Sequence, residues 1–245
     1  MRFLSLASRN LKELYRDPVS ILLGLLMPVG LLFLFVMIGK SAPLEIFTPD
    51  MLTPAITIFS FAFLIMFSAV LLSKDRQSAF LIRLLTTPLK PIDFILGYFL
   101  PFLPFALLQI LVCFTVGIIL GATYSILNIV LSLIVIFPMA MACIGIGMIL
   151  GSLFSEGQIS GIGSILISAI GIFSGAWMDL KMIGGILKNI GYSLPFAHAI
   201  NAARNILEGS GSGNVATDLY WVYSYTVVLF IFGVLSFKWK TSRIN

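Results

Sequence analysis

The chain has 245 residues, of which 59% are hydrophobic and only 10% are charged. A soluble domain typically has about 25% charged residues. The composition therefore excludes a disordered chain, a basic nucleic-acid-binding arm and an ordinary soluble globule, and it indicates a protein that lies in a lipid bilayer. The formal net charge of +5 is interpreted through membrane topology, since Lys and Arg residues collect on one side of a membrane protein.

The N-terminal segment, residues 2–17, has apolar and charged side chains at helical spacing and predicts an amphipathic helix on the membrane surface. Pro18 ends this helix, because the residue before a proline is disfavoured in the helical conformation. The helix is either a docking surface for another protein or an anchor held by anionic lipid. Its predicted apolar face holds Phe3, Leu4, Ala7, Leu11, Leu14 and Tyr15, and its charged positions are Arg2, Arg9, Lys12, Glu13 and Arg16.

Stretches without Asp, Glu, Lys or Arg predict the membrane spans, since roughly 20 apolar residues cross a bilayer once as a helix. Five such stretches occur, and the third has 62 residues, too many for one crossing. It has a natural break at residues 121–128, so we expect an all-α membrane protein with six transmembrane helices. The stretches are Pro18–Gly39, Met51–Ser73, Phe94–Ser155, Gly157–Met178 and Leu219–Phe237.

Lys and Arg residues are distributed unequally between the two sides of this predicted bundle. Eleven of the 15 fall before span 1, between spans 2 and 3, or after span 6, and these segments share one side, called the basic side below. The acidic residues divide five and five between the sides, so the basic residues carry the bias. Because Lys and Arg are retained in cytoplasmic loops, we expect both termini in the cytoplasm.

The loop between spans 2 and 3, residues 74–93, is predicted to contain a short helix. Four apolar residues form a stripe at helical spacing, and two prolines end it. A helix between two spans has to bury such a face, either against its own bundle or against another protein. The stripe is Phe80, Leu81, Leu84 and Leu85, and the prolines are Pro88 and Pro91.

Span 5 has a stripe of small residues that step by four or three positions and are therefore expected on one helix face. The stripe consists of Gly157, Gly161, Ser164, Ser168, Gly171 and Gly175. Small residues let two helix backbones approach closely in a membrane. We predict a helix-packing face whose partner belongs either to this chain or to a second copy. Gly147 and Gly151 of span 4 form a shorter motif of the same kind.

The segment between spans 5 and 6, residues 179–218, is long yet apolar and predicts two short external helices. Gly191 and Pro195 are expected to separate them, and residues 209–213 form a Gly/Ser linker. The first helix would present Ile183, Ile186, Leu187 and Ile190, and the second Phe196, Ile200, Ala203 and Leu207.

The sequence has neither a P-loop nor a His-Glu-x-x-His motif, and its one histidine, His198, is outside the spans. A lone histidine is more often a hydrogen-bonded structural residue than a ligand. A lipid-modifying enzyme remains an alternative, but its candidate polar groups would only partly share a helix face. These groups are His198, Asn201, Arg204 and Asn205. A passive channel is a second alternative, although no rings of charge along a pore would select ions.

Four short motifs, taken together in this order, resemble the ABC-2 type transporter permeases, the transmembrane subunits of exporters. The likeness extends over nearly the whole chain. The segment after span 2, residues 74–79, is more basic than the Glu-Arg-Glu-like stretch usual in the family. The motifs are Arg16-Asp-Pro18; Thr87-Pro-Leu89 with Ile95-Leu-Gly97; Phe173-Ser-Gly175; and Leu194-Pro-Phe196 with Ala202-Ala-Arg204.

This resemblance implies one transmembrane permease domain, residues 1–245, in the plasma membrane, with no cofactor of its own. ATP and Mg²⁺ would bind to a separate ABC ATPase subunit, and a second permease copy or paralogue and membrane lipid would be the other partners, with no nucleic acid. The N-terminal helix and the 74–93 loop would receive the motion of the ATPase. The coupling residues expected from this are Arg9, Glu13, Arg16, Asp75, Arg76 and Arg83.

Overall fold

The computed structural model describes residues 2–42, 44–78, 91–209 and 215–241, and within these ranges the regular structure is entirely helical. The α-helices in chain order are α1 (Arg2–Tyr15), α2 (Pro18–Ser41), α3 (Pro49–Gln77), α4 (Pro91–Phe99), α5 (Phe102–Ile119), α6 (Ile126–Leu153), α7 (Glu156–Phe173), α8 (Leu180–Ile183), α9 (Gly185–Ser193), α10 (Pro195–Leu207) and α11 (Val215–Thr241). A 3₁₀ helix at Glu45–Phe47 joins α2 to α3.

Six helical stretches in the described ranges are long and apolar enough to cross a membrane, which confirms the predicted number of spans. They comprise α2, α3, α4 with α5, α6, α7 and α11. The predicted break in the long apolar stretch is also confirmed, because α5 ends at Ile119 and α6 begins at Ile126. Gly121 lies in this turn with a φ of 111°, a backbone conformation that residues other than glycine rarely adopt.

Helix α3 is the centre of the bundle and is the most buried of the six spans. Helix α6 packs directly on it through the small residues Gly147 and Gly151. A Cβ atom at Gly147 would lie 2.5 Å from the carbonyl oxygen of Ile65, and one at Gly151 would lie 2.6 Å from that of Ala69. The short small-residue motif of span 4 is therefore a packing face within this chain.

The third span is not one continuous helix. Helix α4 ends at Phe99 and α5 begins at Phe102, so a turn at Leu100 and Pro101 divides the span near the basic side. A proline has no N–H group and cannot donate to the carbonyl four residues before it. The break therefore leaves the Gly97 carbonyl without its usual helical donor.

Each proline inside or between the spanning helices at positions 28, 54, 101 and 138 removes the donor for one carbonyl, and a side chain from another helix or turn supplies a replacement. This compensation is expected in lipid, because an unsatisfied backbone carbonyl there costs several kcal/mol of free energy. The replacements are Gln109 Nε2 to Gly24 O (3.0 Å), Tyr124 Oη to Asp50 O (2.5 Å), Asn10 Nδ2 to Gly97 O (3.0 Å) and Tyr223 Oη to Ile134 O (3.0 Å).

Two sequence-based expectations outside the spans need correction, and a third is confirmed. Residues 74–77 belong to α3 rather than to a loop. Gly191 lies inside α9 and does not separate the two predicted helices, whereas the break before Pro195 is confirmed, since α9 ends at Ser193 and α10 begins at Pro195. A further break at Gly184, whose φ is 68°, divides the first predicted helix into α8 and α9. The buried residues of α10 include the four predicted for its apolar face. The predicted stripe at residues 80–85, Pro88 and the linker residues 210–213 lie outside the described residues.

Removing one of the side-chain donors that replace a missing proline N–H group should lower the stability of the bundle. Tyr223→Phe deletes the hydroxyl that donates to Ile134 O, and we expect the free energy of unfolding in mixed detergent to fall by about 1 kcal/mol. Tyr220→Phe is the matched control on the same helix, because the Tyr220 hydroxyl makes no hydrogen bond within the described ranges.

A second variant separates this explanation from a general effect of losing the hydroxyl. Pro138→Ala restores the N–H group that pairs with Ile134 O, so Tyr223→Phe should cost almost nothing in that background. An equal loss of stability with and without Pro138 would contradict the compensation.

Candidate functional site

A buried carboxylate joins three helices at the basic side. Asp75, near the end of α3, is only 3% exposed. It accepts hydrogen bonds from both terminal nitrogens of Arg9 on α1, with Nη2 at 3.0 Å from Oδ1, and from the hydroxyl of Tyr98 on α4 at 2.8 Å. A bidentate arginine and a phenol satisfy a carboxylate that would otherwise be costly to bury. Asp75 therefore holds α1 and α4 against α3.

Glu13 extends this network along α1. Its carboxylate lies 2.6 Å from Arg9 Nη2, one helical turn away, and 3.7 Å from Lys74 Nζ on α3. Burial alone would lower the pKa of Arg9, but the hydrogen bond and charge of Asp75 and the charge of Glu13 together raise it. Arg9 thus stays protonated between two carboxylates, which favours one fixed position for α1.

Asn10 makes a second link between α1 and α4. Its side chain is fully buried and donates 3.0 Å to Gly97 O, the carbonyl that Pro101 leaves unpaired. Leu6 covers the same glycine, because a Cβ atom at Gly97 would lie 2.5 Å from Leu6 Cδ2. The close approach of the two helices therefore depends on a glycine at this position and on a polar side chain opposite it.

The inward face of α1 differs from the predicted one. Leu6, Ala7, Asn10 and Leu14 are buried, whereas Leu4 and Tyr15 of the predicted apolar face are exposed. The reason is that α1 packs on α4 and α3 through a polar network. Its inward face therefore includes the Asn10 amide and the Arg9 guanidinium group. A sequence pattern that sorts side chains only by hydropathy assigns such residues to solvent.

Arg76 lies near the same end of α3 but has a different contact. Its Nη2 atom donates 2.7 Å to Phe154 O, the carbonyl that follows the end of α6, and Ser73 Oγ donates to the same oxygen at 2.9 Å. Ser155 directly afterwards caps the N-terminus of α7 and forms a capping box with Gln158. Arg76 therefore holds the turn between α6 and α7 rather than the Asp75 network.

The remaining predicted coupling residues do not join the network. Arg16 is exposed one turn beyond Glu13, and its side chain makes no hydrogen bond or ion pair within the described ranges. Arg83 lies outside the described residues. Of the six predicted positions, the structure brings together Arg9, Glu13 and Asp75. Their role in coupling stays a prediction. Sequence reasoning missed Asn10 and Tyr98, and the signal for Asn10 was an amide among the apolar positions of α1.

The small-residue stripe of α7 points mostly away from this chain. Gly157, Gly161, Ser164 and Ser168 are exposed, and a Cβ atom at either glycine would meet nothing within 4 Å. The inward face of α7 is another one, where Gly163 packs against the Met66 side chain of α3.

The last two members of the predicted stripe lie elsewhere. Gly171 is buried under Trp177, whose Cζ2 atom would lie 2.8 Å from a Cβ atom at this position. Gly175 lies beyond the end of α7 and has a φ of 73°, so it belongs to the turn that follows the helix. The predicted single face of six residues therefore shortens to four exposed ones.

The polar residues of α10 that were considered for a lipid-modifying enzyme lie on the side opposite the basic side, where they make hydrogen bonds to neighbouring helices. His198 Nδ1 lies 2.5 Å from Asp218 Oδ1, and its Nε2 lies 2.9 Å from Tyr192 O. Burial lowers the pKa of His198, but these hydrogen bonds and the Asp218 charge outweigh it and raise the pKa overall. Asn201 Nδ2 lies 3.3 Å from the Tyr192 hydroxyl. These contacts tie α10 to α9 and α11.

Arg204 completes this side of the bundle. Its Nε donates 3.0 Å to Met51 O and its Nη2 donates 3.1 Å to Ala176 O, so it fastens α10 to the start of α3 and to the turn after α7. Burial lowers the pKa of Arg204 to about 10. No group of His, Cys, Asp and Glu side chains suited to a metal ion occurs within the described ranges.

Comparison with known families agrees with the resemblance found in the sequence. A family model described as ABC-2 type transporter matches residues 1–207. The match includes the Asp75 network and the exposed face of α7 and stops at the end of α10, before the sixth span. No curated protein matches the chain. The matched region is well over half of the chain, and the chain therefore belongs to the ABC-2 type transporter family, as a multi-pass membrane permease of an ABC-type transporter.

Proposed function

We propose that this chain is the permease subunit of an ATP-driven exporter in the plasma membrane and that a separate ABC ATPase docks on its basic side. The observation that carries the proposal is the Asp75 network, which fixes the surface helix α1 to two membrane-crossing elements, α3 and α4. A helix that only anchors a protein to lipid has no need of a buried bidentate ion pair to the transmembrane bundle.

The basic side is assigned to the cytoplasm, with both termini there. Eleven of the 15 Lys and Arg residues lie on this side in the six-span arrangement, and basic residues are retained in cytoplasmic loops. ATP and Mg²⁺ would bind to the partner ATPase, and this chain would contribute the passage for the cargo. The segment between α7 and α11 would then close the passage on the outer side.

Helices α1 and α4 are expected to transmit the motion of the ATPase as one unit. Asn10 and Leu6 bind α1 to Gly97 of α4, and Arg9 and Tyr98 both bind Asp75, so the end of α3 that carries Asp75 belongs to the same unit. The turn at Leu100 and Pro101 separates this unit from α5. A displacement of α1 would therefore tilt α4 about the turn while α5 keeps its place in the bundle.

The exposed face of α7 is proposed as the contact with a second permease, either another copy or a paralogue. Gly157, Gly161, Ser164 and Ser168 leave a shallow helix surface on which another backbone can approach closely. The opposite face of α7 is already used against α3, so the exposed stripe is not needed for packing within this chain.

Loss of the Asp75 carboxylate charge should uncouple the transporter. For Asp75→Asn we expect the rate of permease-stimulated ATP hydrolysis to fall about tenfold, which corresponds to about 1.4 kcal/mol of lost coupling. The ATPase should still copurify with the permease at unchanged stoichiometry. Tyr98→Phe removes one hydrogen bond and should reduce the stimulation less.

Two further variants decide whether charge pairing is the cause. Exchanging the partners, in Arg9→Asp with Asp75→Arg, should restore part of the stimulation lost in either single variant, as a double-mutant cycle requires for a direct pair. Lys12→Gln, an exposed position on the same helix, is the control. Full stimulation in an intact complex carrying Asp75→Asn would contradict the coupling role.

Bulky residues on the exposed face of α7 should block assembly without disturbing the fold. Gly161→Leu places a side chain where no atom lies within 4 Å, so the thermal stability of the isolated chain should not change. The purified complex should contain one permease instead of two, measured by native mass spectrometry. Leu111→Trp, on the exposed side of α5, is the control. Two permeases in the Gly161→Leu complex would contradict the contact.

A further inference from the structure

A cavity of about 480 Å³ opens at the basic side between α1, α2 and α3. Its volume is within the range of about 300–1,000 Å³ common for small-molecule sites. The inner wall is apolar and comes mainly from α3, where Met66, Phe67 and Val70 face the space, with Leu14 of α1 beside them. The rim is polar and contains both cations and carboxylates. The cavity lies where α2 begins and α3 ends, at the level expected for the membrane surface.

The two cations on the rim, Arg16 and Lys74, can still donate hydrogen bonds to a ligand. Arg16 is exposed, and its side chain has no hydrogen bond or ion pair within the described ranges. Lys74 is 61% exposed at its side chain and is 3.7 Å from its nearest carboxylate, that of Glu13. An ion pair at this distance on the surface contributes little stability.

The two carboxylates on the rim are already engaged. Glu13 lies 2.6 Å from Arg9. Asp17 caps α2 by accepting from the Ser20 backbone N–H at 3.1 Å and from the Ser20 hydroxyl at 2.5 Å. These hydrogen bonds lower the pKa of Asp17, so it stays ionised and occupied by its own helix. Glu13 and Asp17 balance the formal charges of Arg16 and Lys74, but their oxygens already accept from Arg9 and Ser20. The side-chain donors that a ligand would meet at the rim are therefore those of Arg16 and Lys74, and Arg16 has no ion pair within the described ranges.

We propose that this cavity binds an anionic glycerophospholipid, with its phosphate between Arg16 and Lys74 and the upper part of one acyl chain along Met66, Phe67 and Val70. A phosphate at the membrane surface meets two cations there, and an acyl chain meets an apolar wall that points into the bilayer. A soluble phosphate would leave the apolar wall uncovered. The bound lipid would contact α1, α2 and α3 together and so stabilise the position of α1.

Lipid titration of the purified full-length chain, followed by native mass spectrometry, tests this site. Phosphatidylglycerol should bind with higher affinity than phosphatidylcholine of the same acyl chains. Arg16→Gln should weaken phosphatidylglycerol binding about fivefold, equivalent to about 1 kcal/mol for one cation near a membrane surface. Arg16→Lys should retain the affinity. Lys12→Gln, an exposed cation on the same helix but away from the cavity, should have no effect.

The apolar part of the site is tested separately. Val70→Trp should fill the cavity and reduce phosphatidylglycerol binding while the Arg16 and Lys74 charges remain. Soluble glycerophosphoglycerol should bind at least tenfold more weakly than the intact lipid, about 1.4 kcal/mol, because it lacks the acyl chain. Equal losses from Arg16→Gln and Lys12→Gln would overturn the proposal, as would unchanged lipid binding in Val70→Trp or equal binding of the soluble headgroup. These readouts need neither the ATPase nor a transported cargo.

Discussion

Every backbone carbonyl inside a bilayer needs a hydrogen-bond donor from the protein, and this constraint organises the bundle. Four prolines inside or between the spanning helices, at positions 28, 54, 101 and 138, each release a carbonyl. In this structure the released groups become points of attachment between elements: Gln109 reaches from α5 to α2, Tyr223 from α11 to α6, and Asn10 from α1 to α4. Prolines that would weaken isolated helices thus specify which helices lie side by side.

The buried Asp75 carboxylate, like a backbone carbonyl in the bilayer, needs hydrogen-bond donors from the protein. Taking a carboxylate out of water costs free energy that only close and complete pairing offsets, and Arg9 and Tyr98 supply this pairing from two other helices. Such a pair contributes little net stability compared with apolar packing, but it fixes one arrangement of α1 on the bundle. A surface helix held in one position can transmit a displacement, which a helix floating on lipid cannot.

The sequence predicted the features that depend on composition along the chain and missed those that depend on contacts between distant residues. The six spans and the break near Gly121 follow from the length of apolar stretches, and both agree with the structure. The predicted inward face of α1 is confirmed at Ala7 and Leu14 and wrong at Leu4 and Tyr15. It left out Asn10, which is buried for its hydrogen bond to Gly97 O and not for its hydropathy.

The candidate site was predictable in part. Arg9, Glu13 and Asp75 could be chosen as charged residues at one membrane surface, but their meeting with Tyr98 depends on how α4 packs on α3. The direction of the α7 stripe was equally hidden, since small residues suit packing on either side of a helix. Gly163, which is outside the stripe, is the glycine that α7 uses against its own chain.

We propose that α1 and α4 move as one unit about the turn at Leu100 and Pro101. Distances between spin labels test it in the complex with the ATPase, without nucleotide and with ATP trapped. The exposed positions Lys12, Ile92 and Leu111 accept cysteine labels, and the native Cys113 and Cys143 are buried. We expect the distance between the labels at positions 12 and 92 to stay constant and the distance between positions 92 and 111 to change. A change between positions 12 and 92, with positions 92 and 111 fixed, would contradict it.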